Sequence, residues 1–207
     1  MIGAVRRESS TVVVLVGEVR DPLLAALGQS PNIAVVRPPA PEEEPDRLTA
    51  ATRALAEAAH RAAPFVLVPA DPLAGVAAQW RAMWDLSAGP SGPAGFEVQA
   101  AEALAAWQAG RFELPDYYLA LAPVSAGGSG PDLYLGPLRA ARPRRVEVVV
   151  TPDRDGQAAA QVLQALRELP HGPWWPPLDE LLGTARTFYA GGLGGNGAAA
   201  PGGAAPS

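Results

Sequence analysis

Two runs of β-branched and apolar residues constrain the fold of this chain most strongly. The first is TVVVLV at Thr11–Val16, and the second is PFVLVPA, which begins at Pro64. Uninterrupted apolar runs of this kind are typical of strands that are covered on both faces, as in a parallel sheet. Between them lie a helical segment from Pro22, a short strand candidate with the sequence NIAVV, and a second helical segment from about Asp46. This β-α-β-α-β order predicts parallel strands joined by right-handed crossovers.

The second half of the chain continues the alternation of strands and helices. Strand candidates lie at Tyr117–Pro123 and Val146–Val150. The spacing of leucine and valine predicts a helix over Gly156–Leu169. A last helix is predicted from Pro177, and we expect it to end at the glycine pair that starts at Gly191, because glycine is a common helix terminator.

Between the third and fourth strand candidates, two helical segments replace the usual single crossover helix. They occupy about residues 72–112 and are separated by the breaker sequence SAGPSGPAG. We therefore predict one three-layer Rossmann-like or flavodoxin-like α/β domain over residues 11–191, with a parallel sheet of about five strands and a two-helix insertion. Residues 1–10 form an N-terminal extension in this interpretation, and the Gly/Ala/Pro-rich residues 192–207 are expected to be a disordered tail.

Composition excludes several classes of chemistry. The chain has no cysteine, and all sixteen of its basic residues are arginine. A Schiff-base lysine, a P-loop lysine, a thiol nucleophile, a disulfide and a zinc–thiolate site are therefore absent. The net charge of −5 argues against nucleic acid as a partner, because such proteins need a basic surface to neutralise phosphates. A small molecule or another protein remains as a partner class.

The N-terminus, MIGAVRRESS, has no apolar region typical of a signal peptide, and no apolar run reaches membrane-spanning length. We therefore expect a cytoplasmic protein without a membrane association. The abundance of Ala, Gly, Pro and Arg fits a GC-rich coding sequence, from which we expect a bacterial source. No cofactor and no oligomeric state can be read from the sequence.

In parallel α/β sheets, ligands bind outside the carboxyl ends of the strands. The loops that follow the strand candidates carry the candidate ligand-binding residues, which are Glu18, Asp21, Asp71, Ser125, Asp153 and Asp155. Asp21 and Asp71 each precede Pro-Leu, and Asp-Pro is typical of a helix start, since the carboxylate accepts from first-turn amides and proline fits the first turn. We interpret both as helix caps, with convergence on a magnesium ion as the alternative.

Imidazole chemistry depends on His60 and His171, the two histidines of the chain. His60 lies on the flank of the second helix, just before the third strand, and is interpreted as a solvated surface residue. His171 follows a helix that begins at the carboxyl edge of the sheet, so both histidines are expected at the opposite edge. That position disfavours a Ser-His-Asp site, and no catalytic residue or metal ligand is assigned.

The candidate interaction residues are four tryptophans and four arginines, namely Trp80, Trp84, Trp174, Trp175, Arg139, Arg142, Arg144 and Arg145. Trp80 and Trp84 lie one helical turn apart. Core packing is favoured for Trp84, whereas packing and a docking face are weighed equally for Trp80. Trp174 and Trp175 are adjacent, so we expect one to be buried and the other to lie at the surface. The arginine group in RAARPRR is interpreted as a solvated linker, with an anionic ligand or acidic partner as the alternative.

Three functions remain open. The first is a ligand- or partner-binding module without resolved catalytic chemistry. The second is a small enzyme that acts on a nucleotide, phosphate or sugar ligand at the carboxyl edge, with magnesium as a candidate cofactor. The third is a degenerate relative of such an enzyme that uses the fold as a scaffold.

Overall fold

Five parallel strands form a sheet whose central strand is the first in the chain. The computed structural model describes residues 10–44, 46–84, 91–123, 132–152 and 155–195. The strands are β1 (Thr11–Gly17), β2 (Ile33–Val35), β3 (Phe65–Val68), β4 (Tyr117–Pro123) and β5 (Val146–Thr151). Their order across the sheet is β2-β3-β1-β4-β5, and every neighbouring pair is parallel. The predicted parallel sheet is therefore confirmed.

Seven α-helices accompany these strands in the described part of the chain. They are α1 (Asp21–Gly28), α2 (Arg47–Ala58), α3 (Ala74–Trp84), α4 (Ser91–Gln108), α5 (Arg139–Ala141), α6 (Asp155–Arg167) and α7 (Leu178–Gly195). Helices α3 and α4 form the predicted insertion between β3 and β4. Helix α7 continues to Gly195, past the glycine pair at which we expected it to end. Helix α5 follows a π-helical segment, Tyr134–Leu138, which the sequence did not predict because its Gly-Pro pair is typical of a turn.

The residues of β1 are apolar without interruption because both faces of this strand are buried. Val13 and Leu15 belong to a buried cluster with α1 and α6, whereas Val12, Val14 and Val16 belong to a second cluster with α2, α3, α4 and α7. Successive side chains of a strand point to opposite faces, and here helices cover both faces. This arrangement confirms the three-layer Rossmann-like architecture.

The order of the strands places β1 at a switch point of the topology. The loop after β1 leads to α1 on one face of the sheet, whereas the loops after β3 and β4 lead to α3 and the π-helical segment on the other face. Neighbouring loops that diverge to opposite faces leave a crevice between them at the carboxyl ends of the strands. The order differs from the 2-1-3-4-5 order of flavodoxin-like sheets, in which the second strand lies beside the first.

Trp80 anchors the two-helix insertion on the rest of the domain. Its side chain is fully buried, with 0% exposure, and its ring lies 5.8–6.4 Å from the rings of Trp84, Phe96, Phe188 and Tyr189. These partners come from α3, α4 and α7, so the stripe of aromatic residues joins three helices. This is the arrangement that the packing interpretation of Trp80 and Trp84 predicts. Within the described residues, the indole N–H groups of these two tryptophans have no hydrogen-bond partner.

The segment before α7 is held by an arginine. Arg145 is buried, and its guanidinium donates to the carbonyl oxygens of Gly172, Pro173 and Asp116 at 2.8, 3.0 and 3.1 Å. The same guanidinium lies 4.9 Å from the centre of the Trp174 ring. A buried arginine is stable here because three carbonyl acceptors and an aromatic face compensate its lost hydration.

The two adjacent tryptophans divide between core and surface, as predicted. Trp175 is buried and donates its indole N–H to the carbonyl oxygen of Pro115 at 2.7 Å, whereas Trp174 is 49% exposed. Arg142 donates to the carbonyl oxygen of Trp174, and Arg144 donates to the carbonyl oxygen of His171. Three of the four arginines of RAARPRR therefore bind backbone carbonyls of residues 171–174, and Arg139 is exposed. The interpretation of this group as a solvated linker is wrong for Arg145, because its guanidinium is buried against these carbonyls. No helix in the described residues combines the length and the hydropathy that a membrane span requires.

Candidate functional site

A cleft of about 1040 Å³ opens at the carboxyl ends of β1, β3 and β4. It lies at the switch point of the sheet, where ligands of α/β proteins bind. Helices α2 and α3 form its side walls, and the connector between β2 and α2 contributes Pro38, Pro39 and Pro41. A smaller cavity of about 470 Å³ lies behind this connector, beside Arg53 and Glu57.

The cleft is open because small residues line it. An alanine or glycine in place of a larger side chain leaves the space between helix and strand unfilled. On α3 the exposed residues Ala74 and Ala78 face this space. The small lining residues are Gly17, Ala50, Ala51, Ala70, Ala74, Ala77, Ala78, Ala120 and Ala122.

Gly17, the last residue of β1, cannot be exchanged for a larger residue without strain. Its φ angle is +96°, and an added Cβ would lie 2.3 Å from the carbonyl oxygen of Leu121 on β4. Glycine adopts this backbone conformation without the steric cost that a Cβ imposes. The residue therefore lets the chain turn from β1 toward α1 while the edge of the cleft stays close to β4.

The floor of the cleft holds a buried carboxylate, that of Asp71. Its side chain is 7% exposed and accepts three hydrogen bonds. The hydroxyl of Tyr118 on β4 donates to Oδ1 at 3.0 Å, and the hydroxyl of Tyr134 donates to Oδ2. The third donor is the backbone N–H of Leu73, just before α3. The prediction that Asp71 caps a helix is wrong, because α3 begins at Ala74 and two of the three hydrogen bonds come from tyrosine hydroxyls.

Burial is the main cause of unusual protonation behaviour at the floor. It raises the pKa of Asp71 from 3.8 to about 6, against the opposing effect of the hydrogen bonds from Tyr134, Leu73 and Tyr118. Burial, followed by the charge of Asp71, raises the pKa of Tyr118 and of Tyr134 well above 10. At neutral pH the carboxyl group is therefore mainly ionised, and both tyrosines keep their hydroxyl hydrogens.

The rim of the cleft carries an ion pair. Arg81 on α3 lies 3.3 Å from Oδ2 of Asp132, and Oδ1 of Asp132 accepts from the backbone N–H groups of Tyr134 and Leu135 at 2.8 and 3.1 Å. Asp132 thus fixes the start of the π-helical segment and thereby the position of the Tyr134 hydroxyl.

Carboxylates outnumber guanidiniums among the charged lining residues, which are Glu18, Glu44, Asp71, Asp132, Arg47 and Arg81.

The structure brings only part of the predicted site together. Asp71 and Glu18 line the cleft, but Asp21 does not. Asp21 also does not cap α1, because Arg20 occupies the cap position and Asp21 is already the first helical residue; its carboxylate pairs with exposed Arg37 instead. The capping prediction for Asp21 is therefore wrong.

The remaining candidates contribute little to the described site. Ser125 and Asp153 lie outside the described residues, and Asp155 is the first residue of α6. His60 and His171 are exposed, as expected for surface residues. Within the described ranges, no group of three or more His, Asp or Glu side chains is placed to hold a metal ion.

The sequence did not identify four residues of the site, which are Tyr118, Tyr134, Arg81 and Asp132. One signal was available for Tyr118. A tyrosine in a buried strand usually has a polar partner for its hydroxyl, and an aspartate just after another strand of the same sheet is a suitable acceptor. No comparable signal exists for Tyr134, because the π-helical segment that places it was not predicted.

Comparisons with known proteins leave the family of this chain open. The chain matches no protein-family model, and no curated protein or solved structure is significantly similar to it. The cleft and its polar floor are therefore the observations from which a function can be inferred.

Proposed function

We propose that this chain is a binding module that holds a small molecule in the cleft at the carboxyl ends of β1, β3 and β4. The observation that carries the proposal is the cleft itself, with its volume of about 1040 Å³ at the switch point of the sheet. Sites for drug-sized ligands have volumes of roughly 300–1,000 Å³ and occur preferentially at such switch points.

The lining of the cleft supports this proposal. Ligand sites combine mostly apolar walls with a few polar groups in fixed positions. Here most lining residues are alanine, proline, valine and leucine. The polar side chains are those of Asp71, Tyr134, the Arg81–Asp132 pair, Glu18, Glu44 and Arg47. Hydrogen bonds from Tyr118 and Tyr134 fix the carboxylate of Asp71, so its position does not depend on a bound ligand.

A second candidate function is an enzyme that uses Asp71 as a general acid or base. Its support is the pKa of about 6 that burial gives Asp71, because a catalytic acid or base works best with a pKa near the working pH. The excess of carboxylates in the lining opposes a nucleotide or phosphate substrate and leaves a sugar or another uncharged substrate. Conversion of a captured ligand by the wild type, with binding but no conversion by Asp71→Asn, would establish this candidate.

The binding function can be tested by disulfide tethering, because the chain has no cysteine of its own. Ala78→Cys places a single thiol on the exposed, cleft-facing side of α3. We expect a library of disulfide-linked fragments to yield compounds that this variant captures at concentrations of reductant that release simple alkyl disulfides. Intact-protein mass spectrometry measures the capture.

The matched control is Ala160→Cys, which places a thiol at an exposed alanine of α6 on the opposite face of the sheet. Fragments selected by the cleft should not be retained there. Equal capture by the two variants over the whole library would overturn the proposal. A second control is Ala74→Trp combined with Ala78→Cys, in which the indole fills part of the cleft and should abolish capture.

A further inference from the structure

We propose that the ligand of the cleft carries a primary ammonium group on an apolar body, and that this group binds at the floor, beside the carboxylate of Asp71 and the hydroxyl oxygen of Tyr134. This inference rests on the proposed binding function and names the chemical class of the ligand. It follows from the hydrogen bonds, the charge and the shape of the floor.

The hydrogen bonds at the floor leave acceptors but no donor at these two residues. Tyr118 and Tyr134 each have one hydroxyl hydrogen, and both hydrogens are committed to Asp71. The backbone N–H of Leu73 is committed to the same carboxylate. A carboxylate offers about four lone-pair sites, so one of them remains, together with the lone pairs of the Tyr134 oxygen. A ligand group that reaches this point must therefore donate hydrogen bonds.

The charge at the floor favours a cation over a neutral donor. Asp71 is buried and mainly ionised at neutral pH, and it takes part in no salt bridge within the described residues. Buried charges in proteins are normally paired. Of the two guanidiniums in the lining, that of Arg81 is paired with Asp132 at the rim. A ligand ammonium would supply the missing partner of Asp71.

Other ionisable groups around the floor do not supply this partner. Tyr118 faces Asp71 from β4 and Tyr134 faces it from the π-helical segment, and both carry no charge because their pKa values are raised. The other ionisable lining residues are Glu18 after β1, Glu44 in the connector, Arg47 on α2, Arg81 on α3 and Asp132 before the π-helical segment. Carboxylates predominate in this set, so the lining as a whole also attracts a cation.

The shape of the cleft sets the rest of the ligand. Above the floor, the wall formed by α3 presents Ala74, Ala77 and Ala78, and the wall formed by α2 presents Ala50 and Ala51. These methyl groups offer no hydrogen bonds and leave room for an apolar or aromatic body. Burial of such a body against them contributes roughly 25 cal/mol per Å² of apolar surface.

Three probes with the same ring test this inference, namely benzylamine, benzyl alcohol and benzoate. Protein NMR titrations of the full chain measure their affinities. We expect benzylamine to bind at least tenfold more tightly than benzoate and more tightly than benzyl alcohol. We also expect its affinity to rise about tenfold from pH 5 to pH 7, because Asp71 ionises across this interval while the amine stays protonated. The affinity of benzyl alcohol should stay within about threefold over the same interval.

Asp71→Asn should lower the affinity for benzylamine at least tenfold, remove its pH dependence and leave benzyl alcohol within about threefold. Tyr134→Phe keeps the carboxylate, so the preference for benzylamine over benzoate should persist in it. The matched control is Asp179→Asn, an exposed carboxylate in the first turn of α7, which should change none of the affinities. If Asp71→Asn does not fold, the probe preference and the pH profile of the wild type still decide the question.

Failure of this inference can be separated from failure of the proposed function. If benzyl alcohol or benzoate binds as tightly as benzylamine, and Ala78→Trp blocks that binding, the cleft is a binding site but its ligand is not an amine. A benzylamine affinity that does not depend on pH has the same meaning. If none of the probes binds the wild type, or if Ala78→Trp leaves their binding unchanged, this inference fails, and the tethering experiment then decides the proposed function.

Discussion

The hydroxyl of Tyr118 lies 3.0 Å from Oδ1 of Asp71, although the two residues are 47 positions apart in the chain. Tyr118 is in β4 and Asp71 follows β3, two strands that are separated in the sheet by β1. Tyr118 is fully buried and lies level with Val14 of β1, so the bond holds the carboxylate of Asp71, which lines the cleft, from beneath. Together with the hydrogen bonds from Tyr134 and Leu73, it opposes the rise in the pKa of Asp71 that burial causes.

The first prediction concerns the pH dependence of stability. Because the pKa of Asp71 rises from 3.8 to about 6 on folding, the folded protein binds this proton more tightly than the unfolded chain. Stability from this residue is therefore full below pH 4 and falls as the pH rises through 6, by roughly 3 kcal/mol in total. Urea unfolding at pH 4, 5, 6 and 7, for the wild type and for Asp71→Asn, measures this effect.

We expect the free energy of unfolding of the wild type to fall relative to that of Asp71→Asn over this interval. The difference between the two proteins isolates Asp71, since carboxylates with a lowered pKa, such as Asp46 and Glu97, contribute equally to both. Parallel pH profiles would show that the pKa of Asp71 is not raised.

The second prediction concerns Trp80, whose side chain is fully buried among aromatic rings of three helices. Trp80→Ala should lower the free energy of unfolding by about 3–5 kcal/mol, because it removes a large buried side chain and leaves a cavity. Trp174→Ala is the matched control, since Trp174 is about half exposed and its loss should cost about 1 kcal/mol. Urea unfolding measures the free energy of unfolding of both variants. If Trp80→Ala changes it by less than about 1 kcal/mol, the insertion does not pack as described.

The third prediction concerns Gly17. Gly17→Ala forces a Cβ against the carbonyl oxygen of Leu121 and places alanine at a positive φ angle. We therefore expect the free energy of unfolding to fall by about 1–3 kcal/mol. Gly183→Ala is the control in α7, where an added Cβ meets nothing within 4 Å. That change should stabilise the protein by about 0.5–1 kcal/mol, because alanine favours the helix. Thermal unfolding of both variants distinguishes strain at Gly17 from a general effect of Gly→Ala exchange.

The fourth prediction separates two arginines of RAARPRR. Arg145→Met removes donors to three backbone carbonyls and should cost about 2–3 kcal/mol. Arg139→Met removes an exposed guanidinium and should stay within about 0.5 kcal/mol. Urea unfolding, monitored by tryptophan fluorescence, measures the change in the free energy of unfolding. The fluorescence of the folded protein also reports release of the segment that contains Trp174 and Trp175. Equal effects of the two changes would contradict a structural role for Arg145.

The local elements of this fold could be predicted from the sequence, because their signals depend on residues that are close in the chain. The apolar runs of β1 and β3 indicate strands that are covered on both faces, and both faces are covered. Helical spacing in the insertion placed Trp80 and Trp84 one turn apart. Because Trp174 and Trp175 are adjacent in the chain, one side chain could be predicted to be buried and the other exposed. Asp71 could be named as a site candidate because it follows a strand.

The tertiary structure alone decided how these elements form a site. The strand order places β1 between β3 and β4, and no local pattern encodes which strands become neighbours. Only that order brings the hydroxyls of Tyr118 and Tyr134 to Asp71, and only burial between the sheet and its helices raises the pKa of this carboxyl group. The same long-range packing excluded Asp21, which resembles Asp71 in sequence but lies exposed beside Arg37. Two identical Asp-Pro-Leu triplets thus have different roles, because the environment of a side chain depends on contacts between distant parts of the chain.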